Sequence, residues 1–385
     1  MSKSQSLAKK VGQLFIVGVP GTSLDRPKLD FLGKIGIGGV VHFSANYESV
    51  DQLIELNNSI QKTLTAEAFE QMPAWICVDH EGGRVQRFKK PFTEWPPQSE
   101  WGAINSAKTC FEAGFVMAKE LLAVGVNCNF APVIDVLQSS SKAIGDRAYS
   151  SNPEQVAALG SATMRGLMKG GIFAVAKHFP GHGSVEVDSH HDLPVCNKTL
   201  DELEATDWIP FRKVFRARAE GVMTAHILFP KLDPDRPATL SRRILQEQVR
   251  KNLRFSKLIF SDDLEMGAIQ KKYSLKDAAF LSIEAGCDQI LLCHEWNQIE
   301  EVHAYLVNAF ESGALPMKRL DESLERILAA KKRFLFPFKY AEVELAKAII
   351  GAPDFQAVAQ SIREGKAVED GPSNKELGDQ SEKEA

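Results

Sequence analysis

Short apolar runs recur along the first 300 residues, and several of them end on a residue that can do chemistry. The runs are 13–19, 38–43, 75–78, 126–130, 172–176, 221–225, 258–260 and 289–293. Their length and apolar content suit buried strands. Helical signals fill most of the gaps. Ser49 and Gln52 have the capping-box spacing, and Leu53, Ile54, Leu56 and Ile60 form an apolar face behind them. A helix over 107–123 stops at Gly125, and Asn152-Pro153-Glu154 starts another that runs to about Lys169. Residues 211–219 read as helical, Ser274 caps a helix that closes at Gly286, and Leu320, Leu324, Ile327, Leu328 and Lys331 share one face of a last long helix. Strand and helix alternating in this way predict an α/β fold, a (β/α)8 TIM-type barrel. With no clean linker, one catalytic domain over 1–350 is expected, with 351–385 as a disordered extension, since the chain beyond Gly365 is nearly devoid of apolar residues.

In this barrel class the carboxyl ends of the strands share one face, and that face holds the active site. Asp79, Lys177-His178, His226, Asp262 and His294 all fall at or just past predicted strand ends. The densest group is Lys-His-Phe-Pro-Gly-His-Gly (177–183), followed by Asp188-Ser189-His190. Pro180, Gly181 and Gly183 suit a sharply turned loop. Asp262, a carboxylate at a strand end, can serve as nucleophile, metal ligand or hydrogen-bond acceptor, with the adjacent Asp263 as a helix cap. Asp188 is spaced to orient His190 as an acid/base near neutral pH. Lys177 and His178 can donate to hydroxyls. Asp79 and Arg87 suit contacts with a hydroxyl-rich ligand, with Arg84 an equal candidate for an internal ion pair. The segment 79–87, rich in charge and glycine, reads as a loop, and Gly145-Asp146-Arg147 offers a further cation.

The formal net charge of −4 argues against nucleic-acid binding. No apolar run is long enough to span a bilayer, so no membrane partner is expected. Six cysteines without framework spacing read as buried thiols of a cytoplasmic protein. His182, His191, His226 and His294 could build a metal site, but neither His-x-His nor His-Glu-x-x-His occurs. No metal or cofactor is expected, and a monomer is.

The motifs together resemble glycoside hydrolase family 3, in its single-domain branch of bacterial β-N-acetylglucosaminidases of peptidoglycan recycling. The resemblance rests on the 177–183 and 188–190 motifs, with Asp-His-Glu-Gly-Gly-Arg-Val-Gln-Arg-Phe (79–88), Phe-Ala-Pro-Val-Ile-Asp-Val (130–136), Gly-Asp-Arg-Ala-Tyr (145–149), Val-Met-Thr-Ala-His (222–226) and Ser-Asp-Asp-Leu-Glu-Met (261–266) in the same order. It covers roughly 7–336. It implies a retaining exo-glycosidase with Asp262 as nucleophile, His190 as acid/base and Asp188 as its partner, departing from the usual carboxylate pair. It further implies that Asp79, Arg87, Arg147, Lys177 and His178 bind the sugar, and that the substrate is an N-acetylglucosamine-containing muropeptide or chitobiose-like glycoside. His80 stands where relatives often carry glutamine. Competing readings keep part of the site: a glycoside phosphorylase, a metal-dependent barrel hydrolase, or a non-enzymatic sugar-binding protein.

Overall fold

The computed structural model describes residues 3–67, 69–138, 141, 143–185 and 192–374. Its strands are β1 (Phe15–Gly18), β2 (Gly39–His42), β3 (Trp75–Val78), β4 (His80–Gly82), β5 (Val85–Gln86), β6 (Cys128–Asn129), β7 (Phe173–Phe179), β8 (Gly221–Thr224), β9 (Leu258–Asp263) and β10 (Gln289–Leu292). Eight of them close a barrel in the order β1-β10-β9-β8-β7-β6-β3-β2. Every neighbouring pair in it is parallel. The expected TIM-type α/β fold is therefore present. Ring contacts show how the barrel is filled. Phe173 on β7 meets Phe260 on β9 at 6.0 Å between centroids, although those strands are not neighbours, so both rings point inward. Trp75 of β3 lies 4.8 Å from Phe173, and Phe130 lies 5.8 Å from Phe260. All of these rings are fully buried.

The helix signals act as their chemistry requires. The Ser49 hydroxyl accepts from the Gln52 N–H at 3.2 Å, while the Gln52 side chain accepts from the Glu48 N–H at 2.9 Å. Asn152 caps Pro153–Gly170 by accepting from the N–H groups of Glu154 and Gln155. The last long helix, Met317–Leu335, carries Lys331 into the floor of the barrel. There Nζ donates to the Gly38 carbonyl at 2.8 Å and to Gln13 Oε1 at 2.9 Å, both from residues that precede strands. All six cysteines are free and buried.

Three expectations need correction. Residues 79–87 are not an open loop: β4 and β5 pair as an antiparallel hairpin turned by Gly82 (φ 104°) and Gly83 (φ 57°), a backbone that glycine adopts without strain. The helix expected near Leu264 starts at Gly267 with Met266 in the cap position, so Asp263 does not cap it; β9 runs through Asp263, whose carboxylate accepts from the Glu265 N–H at 3.1 Å in a turn. The extension is ordered from 351 to 374. Helix Pro353–Arg363 buries Val358, Ala359 and Ile362, and Val368 is buried beyond it. Apolar residues at helical spacing, packed against the barrel's outer helices, outweigh the polar composition around them. The remainder of the tail, 375–385, lies outside the described residues.

Candidate active site

The site grows from the hairpin and the end of β7. Asp79 follows β3 and Glu81 is two residues on, so both carboxylates reach the same side of the extended chain. Lys177, 2% exposed, lies between them: Nζ is 2.6 Å from Asp79 Oδ1 and 2.7 Å from Glu81 Oε1. Burial alone would lower the pKa of this ammonium, but the two carboxylates outweigh it and hold the group above its ordinary value. Arg147 forks onto Glu81, with Nε to Oε2 and Nη2 to Oε1 both at 2.8 Å. Burial works against the Glu81 charge, and Arg147 and Lys177 overcome it, keeping the acid well below the usual carboxylate range.

His178, next to Lys177 on β7, is oriented from behind. Its Nδ1 is 2.7 Å from Asp135 Oδ2, while Nε2 stands 3.5 Å from Arg147 Nη2. Because a guanidinium only donates, a neutral His178 carries its proton on Nδ1 and gives it to Asp135. Asp135 is fixed in turn by the backbone N–H of His182 at 2.7 Å. Arg87 reaches Asp79 at 3.5 Å and lies over the Phe43 ring, 5.4 Å from its centroid. Arg84 turns away and pairs with Asp146 at 2.9 Å on the outer surface. The choice left open between the two arginines thus falls on Arg87 as the one facing the site.

Asp262 lies across the barrel mouth on β9. Burial would push its carboxyl up; His226, then His178, the Asp263 N–H and Lys177 more than offset this and hold it below its ordinary value. His226 is itself pushed down by burial, while Lys177 is held above its ordinary value. His226 Nε2 donates to the Asp263 carbonyl at 2.8 Å, which leaves Nδ1 to accept from the Thr239 hydroxyl, also at 2.8 Å. This pins the backbone beside Asp262. A cavity of about 240 Å³ opens over these groups, with Asp79, Arg87, Asp262, Asp263 and His294 on its polar side and Val41, Phe130, Met223 and Leu291 on its apolar side. At the rim His294 meets the Phe43 ring at 5.4 Å, and Asp263, 3.4 Å away, holds its imidazole above the ordinary value.

Asp79, Arg87, Arg147, Lys177, His178 and Asp262 therefore converge at one end of the barrel. Asp188 and His190 lie outside the described residues, as does His191. The charge-bearing partners Glu81 and Asp135 were not singled out by sequence reasoning about chemistry, although the Asp79–Glu81 spacing is that of one strand face. Among the described residues no group of three or more His, Cys, Asp or Glu side chains could hold a metal ion. Among them, too, no helix is long and apolar enough to cross a membrane.

Comparison with known proteins agrees with this geometry. The family described as the N-terminal domain of glycosyl hydrolase family 3 matches residues 6–330. The β-hexosaminidase of Methylobacillus flagellatus is 39% identical over 297 residues, 76% of this chain and 83% of that protein. The chain is similar in structure to a family 3 β-N-acetylglucosaminidase from Paenibacillus, with a TM-score of 0.88 at 32% identity over 94% of this chain and 68% of that one. It is also similar to NagZ from Neisseria gonorrhoeae in complex with N-trifluoroacetyl-D-glucosamine, with a TM-score of 0.74 at 33% identity over 92% of this chain and 98% of that one. A barrel that gathers buried, charge-balanced side chains at one mouth, and that matches these relatives along most of its length, belongs to glycosyl hydrolase family 3 and is a glycosidase.

Proposed function

We propose that the chain is a retaining exo-β-N-acetylglucosaminidase that releases terminal N-acetylglucosamine from 1,6-anhydro-muropeptides. The observation that carries the reading is the state of Asp262: a half-buried carboxylate kept ionised at the cavity wall, opposite a frame of hydroxyl-binding groups. The names of the relatives support the sugar, and the cavity supports an exo mode of attack on one terminal residue. In this reading Asp79, Lys177, Arg147, His178 and Arg87 hold the sugar hydroxyls. Their mutual ion pairs fix them before substrate arrives, which lowers the reorganisation needed at the transition state. Asp262 attacks the anomeric carbon while His190, oriented by Asp188, gives its proton to the departing glycosidic oxygen. His190 then takes a proton from water, the water oxygen bonds to the anomeric carbon, and the bond to Asp262 breaks with configuration retained. The reading assigns a monomeric cytoplasmic enzyme of cell-wall recycling, in keeping with six unpaired buried thiols.

The test is hydrolysis of an aryl β-N-acetylglucosaminide by wild type, Asp262→Ala and His190→Ala. Loss of the nucleophile should cost about 10⁴-fold or more in kcat/KM. An activated aryl leaving group needs little protonation, so His190→Ala should keep more glycosylation activity, and azide should rescue it as a glycosyl azide of retained configuration. Near wild-type turnover by Asp262→Ala would remove the nucleophile and the reading with it.

A further inference from the structure

The family match ends at residue 330, and the described chain continues to 374. We propose that this extension belongs to the sugar-binding apparatus: it buttresses the β4–β5 hairpin, and Glu120 is the positioning residue that joins the two. The extension covers the helix Ala107–Ala123 through Val358, Ala359 and Ile362 and through hydrogen bonds of its own, the Val368 N–H to the Thr109 hydroxyl at 2.9 Å and the Ser373 N–H to Glu112 Oε2 at 3.1 Å, none of which reaches the hairpin. At the joint with residues 91–93 the chain buries a further carboxyl group, Glu120, 1% exposed, at a desolvation cost that an aliphatic side chain would avoid. Glu120 accepts from the Thr93 N–H at 3.1 Å, from the Thr93 hydroxyl at 2.9 Å and from the Gly351 N–H at 2.7 Å. One side chain thus binds the extension to the segment that follows the hairpin. The approach is close enough to demand glycine: at φ 69°, a Cβ on Gly351 would stand 2.4 Å from the Pro91 carbonyl oxygen. Arg363 adds a hydrogen bond to the Glu94 carbonyl.

From Thr93 the connection to the site takes one further step. Gln86 Nε2 donates to the Thr93 carbonyl at 2.9 Å, and Gln86 Oε1 accepts from the Trp95 N–H at 2.8 Å. The Trp95 carbonyl accepts from the Gly83 N–H at 2.8 Å. The strand β5 and the turn of the hairpin are therefore bolted to residues 93–95, and the hairpin is what carries Glu81 and leads into Arg87. Freeing 93–95 from Glu120 loosens the frame that grips the sugar and leaves Asp262, on the opposite side of the mouth, in place.

The inference deepens the glycosidase reading and rests on it for its kinetic arm only. In Glu120→Ala, KM for the aryl N-acetylglucosaminide should rise about tenfold while kcat stays within about threefold. Amide hydrogen exchange over 80–87 should quicken about tenfold, with β7–β10 unchanged. Glu120→Gln keeps an acceptor oxygen for all three donors and should restore both readouts. A covering role would instead speed exchange only in 343–374, leaving KM and the hairpin at wild-type values; that result overturns the proposal. If Glu120→Ala does not fold, Gly351→Ala applies the same test from the extension's side, and wild-type exchange over 80–87 in that variant is equally fatal. Wild-type turnover tests the glycosidase reading by itself, and exchange tests the buttress whether or not the enzyme turns over.

Discussion

Lys177 and Lys331 occupy opposite ends of the same barrel, and both are withdrawn from water. At the mouth, Lys177 meets two carboxylates, and its ammonium is held above the ordinary value against the pull of burial. At the floor, Lys331 meets an amide oxygen, a backbone carbonyl and the Trp75 ring, 5.9 Å from its centroid, and burial pushes it down to about 7. Desolvation is common to both; the partners decide which form survives. The mouth keeps its charges by balancing them against each other, and balanced charges can be re-partnered by the hydroxyls of a sugar. Lys331, with no carboxylate beside it, is partly discharged near pH 7 and only closes the barrel, whereas the charge buried at Asp288, just before β10, is kept by its pairing with Arg250, Arg319 and Arg326.

Substitution by methionine separates the two ends. Lys177→Met leaves Asp79 with Arg87 alone, at 3.5 Å, and Glu81 with Arg147 alone. It should cost about 3 kcal/mol in denaturant unfolding and at least about 10²-fold in kcat/KM. Lys331→Met leaves Gln13 Oε1 unfilled while the Gly38 carbonyl keeps the Trp75 N–H, for about 1 kcal/mol, and should leave kcat/KM within about twofold. Equal losses at the two ends would break the comparison.

A pH series sharpens it. The folded-state pKa of Lys331 is about 7 against an ordinary 10.5, so between these values the unfolded chain binds a proton that the folded chain lacks. Its contribution to stability rises with pH by up to about 1.4 kcal/mol per unit and is lost as pH falls through 7. Lys177 runs the other way, contributing below its unfolded pKa and losing that contribution as pH rises through its higher folded value. Unfolding midpoints from pH 7 to 9 should therefore show wild type gaining on Lys331→Met. The smallest effect belongs to Arg84→Ala. Its ion pair with Asp146 is about half exposed on both sides, so a change under about 0.5 kcal/mol is expected, with kcat/KM within about twofold. A large loss would put Arg84 back in contention with Arg87.

How much of this is legible in the sequence depends on the range over which each interaction acts. The barrel is, because strand burial and helix caps are written in short windows, as at Ser49-Gln52 and Asn152-Pro153. Asp79, Lys177 and Asp262 are, because a strand end places a polar residue on a known face. Asp135 is not, since its role depends on His178, 43 residues away. The extension is legible only in part. Phe355, Val358, Ala359 and Ile362 have helical spacing, but the Glu120–Gly351 contact spans 231 residues and no local pattern announces it. Asp188 and His190 are conspicuous in the sequence as neighbours and lie outside the described residues.

The burial of every native thiol has a practical side. Because Cys77, Cys110, Cys128, Cys196, Cys287 and Cys293 are all shielded from solvent, the wild-type surface is a quiet background for thiol-directed probes. A cysteine introduced at exposed Asp192, just beyond the motif that carries Asp188 and His190, would stand out as a single reactive handle. A fluorophore there could report in real time on what substrate does to that segment.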